Sequence, residues 1–585
     1  MKYFLKFLIA LRVDYTSDKE KYREVEGDTI DLCYLKCYTL CKITHSARKK
    51  RGISFMKETN RTAWFQSLEK PLGKLAAAAA IIILLIFPLY IRDFYFDILG
   101  AKYQFYYITI LAILAIALIT LVIYIIRDYR YEDGKNVKLM LKNFSFKKMP
   151  LSHVFALIFL FVCIISTLQS KYLYEAFWGN EGRYTGLFLL SIYVVSFLFI
   201  SRFLKMKKKY LNIFLIAGML VCIFGITDYF KLNLLHFKDD LAIADWPVYT
   251  STFGNINTYN AYVGMVIGCC GALFVDAKTK KEQIWYFSCY LIAAYSLITG
   301  GSDNAYLALL ALFGFLPFWA FKTWKGVEKY FLMLTSFVTV IYVAGRIHVS
   351  MGDKVEILEG VFGVLIRSRF LLYLMIGMWV ITLLLYVIEA AAKDKILKIR
   401  KLPIYIWTVL AVVVISATGY VLYDANAGGH AEKYSSIQRY VQFDDDWGTQ
   451  RGMIWRLALD DYKQKFTWNE KIFGYGPDTF GIMTHKWNND ETIRKTNVIY
   501  DNAHNEYLQY FVTIGPIGVL SYVGMLAAAG AEMVKKKEKA SYSMGCFFAV
   551  LCYAVQATVN LSVPIVTPIM WMLMSMGTAS GKEEE

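Results

Sequence analysis

The sequence predicts an all-α protein that crosses a membrane about fourteen times, within a range of twelve to fourteen. Two observations predict this fold class. Of the 585 residues, 57% are hydrophobic, and the mean hydropathy of +0.40 is too apolar for a soluble globular chain. Apolar runs of about 17–25 residues, each long enough to cross a bilayer as a helix, recur along the chain. The predicted spans are 75–91, 104–126, 151–169, 185–204, 210–230, 258–275, 284–299, 305–321, 330–347, 368–391, 404–423, 505–527, 541–559 and 562–580.

The net charge of +17 reflects the topology of these helices and does not indicate a nucleic-acid partner. Lys and Arg crowd every second connection, whereas the alternate short connections, such as 300–304 and 560–561, carry none. This is the positive-inside pattern, so we expect a multi-pass protein of the cell membrane with both termini in the cytoplasm. The long connection at 424–503 then lies outside the cell. The basic connections are 127–148, 205–209, 278–281, 322–329, 393–401 and 535–539.

The spans divide the chain into four parts. The predicted parts are a cytoplasmic N-terminal segment at 1–74, eleven transmembrane helices at 75–423, an extracytoplasmic loop at 424–503, and three transmembrane helices with a cytoplasmic tail at 504–585. The first 55 residues are polar and mixed in charge, and Met56 opens a basic segment that leads into the first span. We therefore consider Met56 an alternative start, which the intact mass of the native protein would test.

The 424–503 loop is predicted to be ordered and partly helical, since it is rich in Trp, Tyr and Phe. Long loops in compact proteins are usually either functional or disordered. Within this loop, 449–466 has the periodicity of an amphipathic helix. One side of that helix is formed by Ile454, Leu457, Ala458 and Asp461. The motif FGYGPDTFG then ends the helix, because Gly and Pro interrupt helical structure.

A polar motif, DNAHNEYL, holds His504 where the chain re-enters the membrane after this loop. A neutral histidine can accept a proton near pH 7, so His504 is the candidate catalytic base. Polar partners surround it where apolar residues would be easier to accommodate, and Asp501 and Asn505 are therefore candidate substrate-binding residues. The alternative is an interfacial histidine that is hydrogen-bonded only to water.

Three arginines on the outer side form a second group of candidates. Arg183 lies in the Gly-bracketed turn FWGNEGRYTGLF, and Arg451 and Arg456 lie on the predicted loop helix. The positive-inside rule disfavours basic residues on this side of the membrane. The presence of each arginine close to a span therefore needs an explanation. A planar guanidinium suits bidentate binding of phosphate or diphosphate. The alternative for each arginine is a solvated surface position.

Polar residues also mark two other helix ends that are predicted to face outward. Asn255 and Asn257 open the span at 258–275, and we expect them to line a cavity or an interhelical contact. In TGGSDNAYL, Asp303 is a charge at the membrane surface and hence a candidate binding residue. The alternative there is that Ser302 or Asp303 caps the following helix.

No metal site is predicted. Cys33, Cys37 and Cys41 form a stripe with His45 beyond it, but they lack the paired spacing that is typical of zinc motifs. The motif DDDW at 444–447 is similar to an acidic metal-binding motif, but an ordinary solvated acidic patch is the favoured interpretation.

The segment AHNEYLQYFVTIGPIGVLSYVG resembles the His-Asn-x-Tyr-Leu plus Gly-x-x-Gly signature of the O-antigen ligase and polymerase family. Members of this family are inverting, polyprenyl-diphosphate-dependent membrane glycosyltransferases. Three further segments match in the expected order: FGNINTYNAYVGM, GSDNAYLALL, and the loop segment from RGMIWRLALDDY to IFGYGPDTF. The resemblance extends over roughly 180–580, and it implies a GT-C-like arrangement of helices.

The resemblance implies a role for several candidate residues. His504 would activate the acceptor hydroxyl, Arg451 would hold the diphosphate leaving group, and Arg183 would be a second phosphate contact. The scheme needs no cofactor and no metal, because a glycan on a diphosphate lipid already has a good leaving group. One departure is that many members carry Arg after the Ser of the GS segment, where this chain has Asp303.

We therefore expect a membrane enzyme that transfers or polymerises glycan units at the extracytoplasmic face. The expected partners are a polyprenyl-diphosphate-linked glycan donor, membrane lipids, and a hydroxyl acceptor on a glycan, a lipid or a protein. A protein acceptor would make the chain a protein O-oligosaccharyltransferase. The alternatives from other classes are a flippase for lipid-linked oligosaccharides and a non-catalytic scaffold for surface polymer assembly. A flippase would carry ionisable residues deep in several spans and short outer loops.

Overall fold

The computed structural model describes residues 63–142, 145–180, 182–358, 360–392, 402–536 and 542–579. The alternative start at Met56 and the predicted cysteine stripe, which begins at Cys33, lie outside these residues. The first eleven helices are α1 (Ala63–Leu89), α2 (Ile98–Glu132), α3 (Lys135–Lys142), α4 (Leu151–Gln169), α5 (Leu173–Trp178), α6 (Leu187–Phe203), α7 (Lys208–Tyr229), α8 (Ile256–Asp276), α9 (Lys280–Thr299), α10 (Ala305–Ala320) and α11 (Trp324–Met351).

The second half of the chain is also helical. Its helices are α12 (Gly360–Arg367), α13 (Phe370–Ala392), α14 (Leu402–Asn426), α15 (Gln438–Val441), α16 (Trp447–Gln464), α17 (Trp468–Phe473), α18 (Phe480–Thr496), α19 (Glu506–Thr513), α20 (Gly515–Lys536), α21 (Tyr542–Gln556) and α22 (Thr567–Thr578). In the described residues, the sheet content is one antiparallel pair before α8, formed by β1 (Tyr249–Thr250) and β2 (Gly254–Asn255).

Ten helices of the described part are long and apolar enough to cross a membrane, and α6 and α10 are shorter apolar helices. The predicted fold class, an all-α polytopic membrane protein, is therefore confirmed. The predicted spans at 284–299 and 562–580 fall on α9 and α22, which are not among these ten helices: α9 has 20 residues but is not apolar enough, and α22 has only 12 residues. Both nevertheless pack within the bundle, and α22 is buried along all of its 12 residues.

The centre of the bundle is formed by α8, α21 and α22. In the most apolar part of α8, 94% of the residues are buried, against 11% for α13 and none for α14. A β-carbon at Gly268 of α8 would lie 2.6 Å from the carbonyl oxygen of Phe548 in α21. The glycine thus allows the two backbones to approach closely, which is how helices pack in membranes. The outward faces of α13 and α14 are apolar, as expected for helices in contact with lipid.

The predicted span at 505–527 is not one continuous helix. It breaks at Gly515, where φ is +84° and a β-carbon would lie 2.2 Å from the carbonyl oxygen of Ile472. The amides of Tyr475 and Gly476 donate to the carbonyls of Val512 and Thr513, both at 2.9 Å. The break therefore frees carbonyl groups that the loop then binds, and the membrane-spanning part begins at α20.

The 424–503 loop, called the loop domain below, is ordered and partly helical, as predicted. It has a small core, to which α19 contributes Val512 and the loop domain contributes Ile454, Ala458, Phe466, Tyr475, Phe480, Met483 and Ala503. The predicted inner face of its amphipathic helix is buried in α16, including Leu457 and Asp461. Residues 448–450 of that helix have φ near +60°, so its regular part begins at Arg451.

Candidate active site

His504 lies in the turn that joins α18 to α19, at the end of the bundle that carries the loop domain. Its backbone φ is +48°, a left-handed conformation that needs external support. The amide of His504 donates to Oδ1 of Asn502 at 2.8 Å. Nε1 of Trp455 in the loop domain donates to the carbonyl of Ala503 at 2.8 Å. The turn is therefore held from both sides, which fixes the direction of the imidazole.

Asn505 begins α19 as its N-cap residue. Its Oδ1 accepts hydrogen bonds from the amides of Tyr507 and Leu508, both at 3.0 Å. This side chain therefore satisfies amides that would otherwise lack a partner at the start of the helix. Asn505 positions His504 through the backbone, and its carboxamide oxygen is not free for a substrate.

The surroundings of His504 favour a neutral imidazole. Its pKa is lowered to about 4, first by burial and then by the positive charges of Arg451 and Arg183, against a smaller opposing effect of Asp501. Among the residues that the structure describes, no group makes a hydrogen bond to its ring nitrogens. At neutral pH the side chain thus has an unprotonated nitrogen with no partner, which is what a proton acceptor requires.

Arg183 is presented by a tight turn between α5 and α6. Oδ2 of Asp478 in the loop domain accepts hydrogen bonds from the amides of Asn180 and Thr185, at 2.7 and 2.9 Å. The guanidinium of Arg183 in turn makes a bidentate ion pair with Asp501, at 2.9 and 3.0 Å. Arg183 and Asp501 are therefore brought together beside His504, although 318 residues separate them in the chain.

Sequence reasoning did not identify Asp478. Its carboxyl is 3% exposed, and burial raises its pKa to about 6 despite the amide hydrogen bonds. The signal was an acidic residue inside the Gly- and Pro-rich motif GYGPDTFG, a place where a short side chain often bonds to backbone amides. Its partners could not be read from the sequence because they belong to a distant turn.

Arg451 is partly buried at the first regular turn of α16. Burial lowers its pKa, and the negative charge of Asp303 acts in the opposite direction. No side chain in the described part of the chain forms a hydrogen bond or ion pair with its guanidinium. A partly desolvated cation whose N–H donors have no direct partner is unfavourable in the absence of an anionic ligand.

Arg456 occupies a different environment on the same helix. Its guanidinium bonds both oxygens of Asp445, at 2.8 and 2.9 Å, and Oε1 of Glu491 at 2.7 Å. Lys495 also pairs with Asp445, at 2.7 Å. These hydrogen bonds raise the pKa of Arg456. The motif DDDW thus contributes to an ion-pair network of the loop domain, and no metal-binding cluster is found in the described residues.

Asp303 is exposed and lies at the start of α10. It hydrogen-bonds the hydroxyl of Tyr306, which also accepts from the amide of Phe362 at 3.0 Å. The alternative interpretation, in which Ser302 or Asp303 caps α10, is wrong, because the N-cap residue is Asn304 and its side chain makes no capping hydrogen bond. Asp303 instead lies close enough to Arg451 to raise the pKa of the guanidinium.

Asn255 and Asn257 belong to a hydrogen-bonded cluster at the start of α8. Oδ1 of Asn255 caps the helix by accepting from the amide of Asn257 at 2.8 Å. Oγ of Ser302 donates to Oδ1 of Asn257 at 2.5 Å. The carboxamides of Asn304 and Asn560 donate to the carbonyl of Asn257, at 3.1 and 3.2 Å. The cluster joins α8, α10 and the segment before α22, which matches the predicted interhelical contact.

Glu506 is the acidic residue of the His504 motif, and its carboxylate turns away into the bundle. It is 1% exposed and accepts hydrogen bonds from the hydroxyls of Tyr522 and Tyr553, at 2.7 and 3.0 Å. Tyr553 also hydrogen-bonds Thr567 at 2.9 Å. Glu506 therefore connects α19 to α20, α21 and α22. It fixes the position of α19, the helix that directly follows the His504 turn.

The fold and this cluster define a multi-pass membrane protein in which Arg451 and Arg183 lie near His504, where the loop domain meets the helices. Residues 357–523 match the family described as O-Antigen ligase, which confirms the resemblance to that family. The matched segment contains Arg451, Asp501 and His504, whereas Arg183 and Asp303 lie outside it. The match indicates a glycosyltransferase-like enzyme that assembles glycans in the membrane. A comparison with curated proteins gave no match.

Proposed function

We propose that the protein transfers or polymerises glycan units from a polyprenyl diphosphate carrier onto a hydroxyl acceptor at the extracytoplasmic face of the membrane. The observation that carries this proposal is the partly buried guanidinium of Arg451, which forms no ion pair or side-chain hydrogen bond among the described residues and lies near His504. A diphosphate would supply the missing negative charge. Because a guanidinium binds phosphate oxygens in a bidentate manner, it would also orient the leaving group.

The chemistry requires one proton acceptor and one site for the leaving group. The acceptor oxygen forms a bond to the anomeric carbon while the bond from that carbon to the diphosphate oxygen breaks, which inverts the configuration. His504 takes the proton of the acceptor hydroxyl, and Arg451 stabilises the charge that develops on the diphosphate. Holding both substrates at the bilayer surface adds the advantage of proximity.

The side of the membrane is inferred from charge. The basic connections, such as 127–148 and 205–209, alternate with connections among which the short ones at 300–304 and 560–561 carry no Lys or Arg, and the loop domain falls on the side opposite the basic ones. This supports an active site outside the cytoplasm. A polyprenyl donor would place its diphosphate at the membrane surface, close to the turn that holds His504.

The test is the activity of a His504→Ala variant. We expect transfer to fall by about 10²–10⁴-fold, the usual contribution of a general base, while the lipid-linked donor accumulates. His485→Ala is the matched control, because His485 is an exposed histidine of the same loop domain. Surface glycans of normal length and amount in the His504 variant would contradict the proposal.

The leaflet in which the donor accumulates distinguishes this proposal from a flippase. A strain that lacks the protein should hold lipid-linked donor in the outer leaflet if the protein is a transferase, and in the inner leaflet if it is a flippase. A protein that acts only as a scaffold would tolerate His504→Ala. The chemical structure of the glycans left in such a strain identifies the acceptor, including a protein acceptor. Single repeat units indicate lost polymerisation, and full-length carrier-bound chains indicate lost ligation.

A further inference from the structure

The two arginines near His504 differ in their resident partners. Arg183 is held by both carboxylate oxygens of Asp501, at 2.9 and 3.0 Å. Arg451 has no such partner among the described residues. A carboxylate that binds a guanidinium through two oxygens occupies the same donors that two oxygens of a phosphate group would use. Asp501 therefore fills an anion site that a donor would also use.

The backbones on both sides of this ion pair are fixed. Asp478 holds the Arg183 turn through the amides of Asn180 and Thr185. Behind Asp501, a β-carbon at Gly481 would lie only 3.1 Å from its Cα atom, so α18 packs directly against that segment. An exchange of partners at Arg183 therefore involves side chains and does not require the turn or the helix to move.

The ion pair itself is weak enough to be exchanged. The side chain of Arg183 is 23% exposed and that of Asp501 is 41% exposed, and ion pairs that are so open to water contribute little to stability. A diphosphate carries more negative charge than a carboxylate and therefore competes well for the guanidinium. The other nearby carboxylate, Asp478, cannot take over from Asp501, because it is buried and holds the backbone of the turn.

We propose that Asp501 is a built-in counter-ion that occupies the phosphate site of Arg183 until the second phosphate of a diphosphate donor displaces it. In this arrangement Arg451 binds the first phosphate of the donor. Arg183 is reached only by a ligand that carries a second phosphate. Asp501 thus sets the affinity for lipid diphosphates, which must displace it to reach Arg183, and leaves the affinity for lipid monophosphates unchanged. This inference rests on the proposed function.

The test compares two lipid probes, farnesyl diphosphate and farnesyl monophosphate, bound to the purified full-length protein in detergent. In Asp501→Asn, we expect the affinity for the diphosphate to rise by up to about fivefold, the range for one exposed ion pair, and the affinity for the monophosphate to stay unchanged. In an Arg183→Ala background, Asp501→Asn should have no effect. Asp490→Asn is the matched control, since Asp490 is another exposed acid of the loop domain.

The outcomes separate this inference from the proposed function. Wild-type protein that binds neither probe would overturn both. Wild-type protein that binds the diphosphate through Arg451, combined with an unchanged or weaker affinity in Asp501→Asn, would overturn only the role of Asp501. Asp501→Ser serves as a second variant should the Asn variant unfold, and it should change the affinity in the same direction.

Discussion

Arg451 and Arg456 lie on the same helix, α16, but their guanidinium groups have different surroundings. Arg456 is bonded to Asp445 and Glu491, and its side chain is 41% exposed. Arg451, five residues earlier, is partly buried near His504 and forms no ion pair or side-chain hydrogen bond in the described residues, although the charge of Asp303 acts on it from a distance. Both were candidate phosphate-binding residues in the sequence, and only their surroundings distinguish them.

This contrast separates a structural arginine from a candidate binding arginine by a physical criterion. A cation whose hydrogen-bond donors are already satisfied by carboxylates gains little from a phosphate, because the phosphate would first have to displace them. A partly desolvated cation without a counter-ion carries an unfavourable free energy that an anionic ligand can relieve. An unfavourable free energy of this kind is typical of functional sites.

The sharpest test of the contrast is Arg451→Ala. We expect transfer to fall by about 10²–10³-fold, the range for removal of one charge-stabilising donor at a transition state. The free energy of unfolding should stay equal or rise, since an uncompensated charge is removed. Arg451→Lys should recover only part of the activity, because an ammonium group lacks the bidentate geometry. Activity assays and thermal unfolding measure the two effects. Normal activity in Arg451→Ala would contradict the assignment of Arg451 as a binding residue.

The pH dependence of transfer gives a second test. A base must be neutral to work, so activity of the wild-type protein should be retained as the pH falls to about 5 and be lost as it passes the His504 pKa of about 4. Because the charge of Arg451 lowers that pKa, Arg451→Ala should move the acid limb of kcat/KM to higher pH. Arg456→Ala should leave it in place. An acid limb that does not move in Arg451→Ala would mean that the two side chains are not coupled.

The smallest effect is expected for Arg456→Ala. Transfer should stay within about twofold of wild type, since its donors face the network of Asp445 and Glu491. The loop domain should lose about 0.2–1 kcal/mol of stability, the range for exposed ion pairs, and less at high salt. Thermal unfolding at two salt concentrations measures this loss. A large loss of transfer with unchanged folding would place Arg456 in the substrate site after all.

Much of the fold could be predicted from the sequence because membrane helices must satisfy their own backbone hydrogen bonds. Length and hydropathy alone therefore locate most of the membrane helices, and amphipathic periodicity locates the inner face of α16 in the loop domain at Ile454 and Leu457. The break at Gly515 was missed, because it depends on hydrogen bonds from Tyr475 and Gly476 of the loop domain, about forty residues earlier in the chain. Hydropathy is the same on both sides of such a break.

The sequence by itself determined which residue types stand at the candidate site and that His504 follows a long loop. Only the tertiary structure decided that Arg183 and Asp501 pair, that Asp478 holds the Arg183 turn, and that Arg451 rather than Arg456 lies near His504. The physical reason is that hydrophobic periodicity is a property of neighbouring residues. The free energy of a buried charge depends instead on the groups that folding brings beside it from distant parts of the chain.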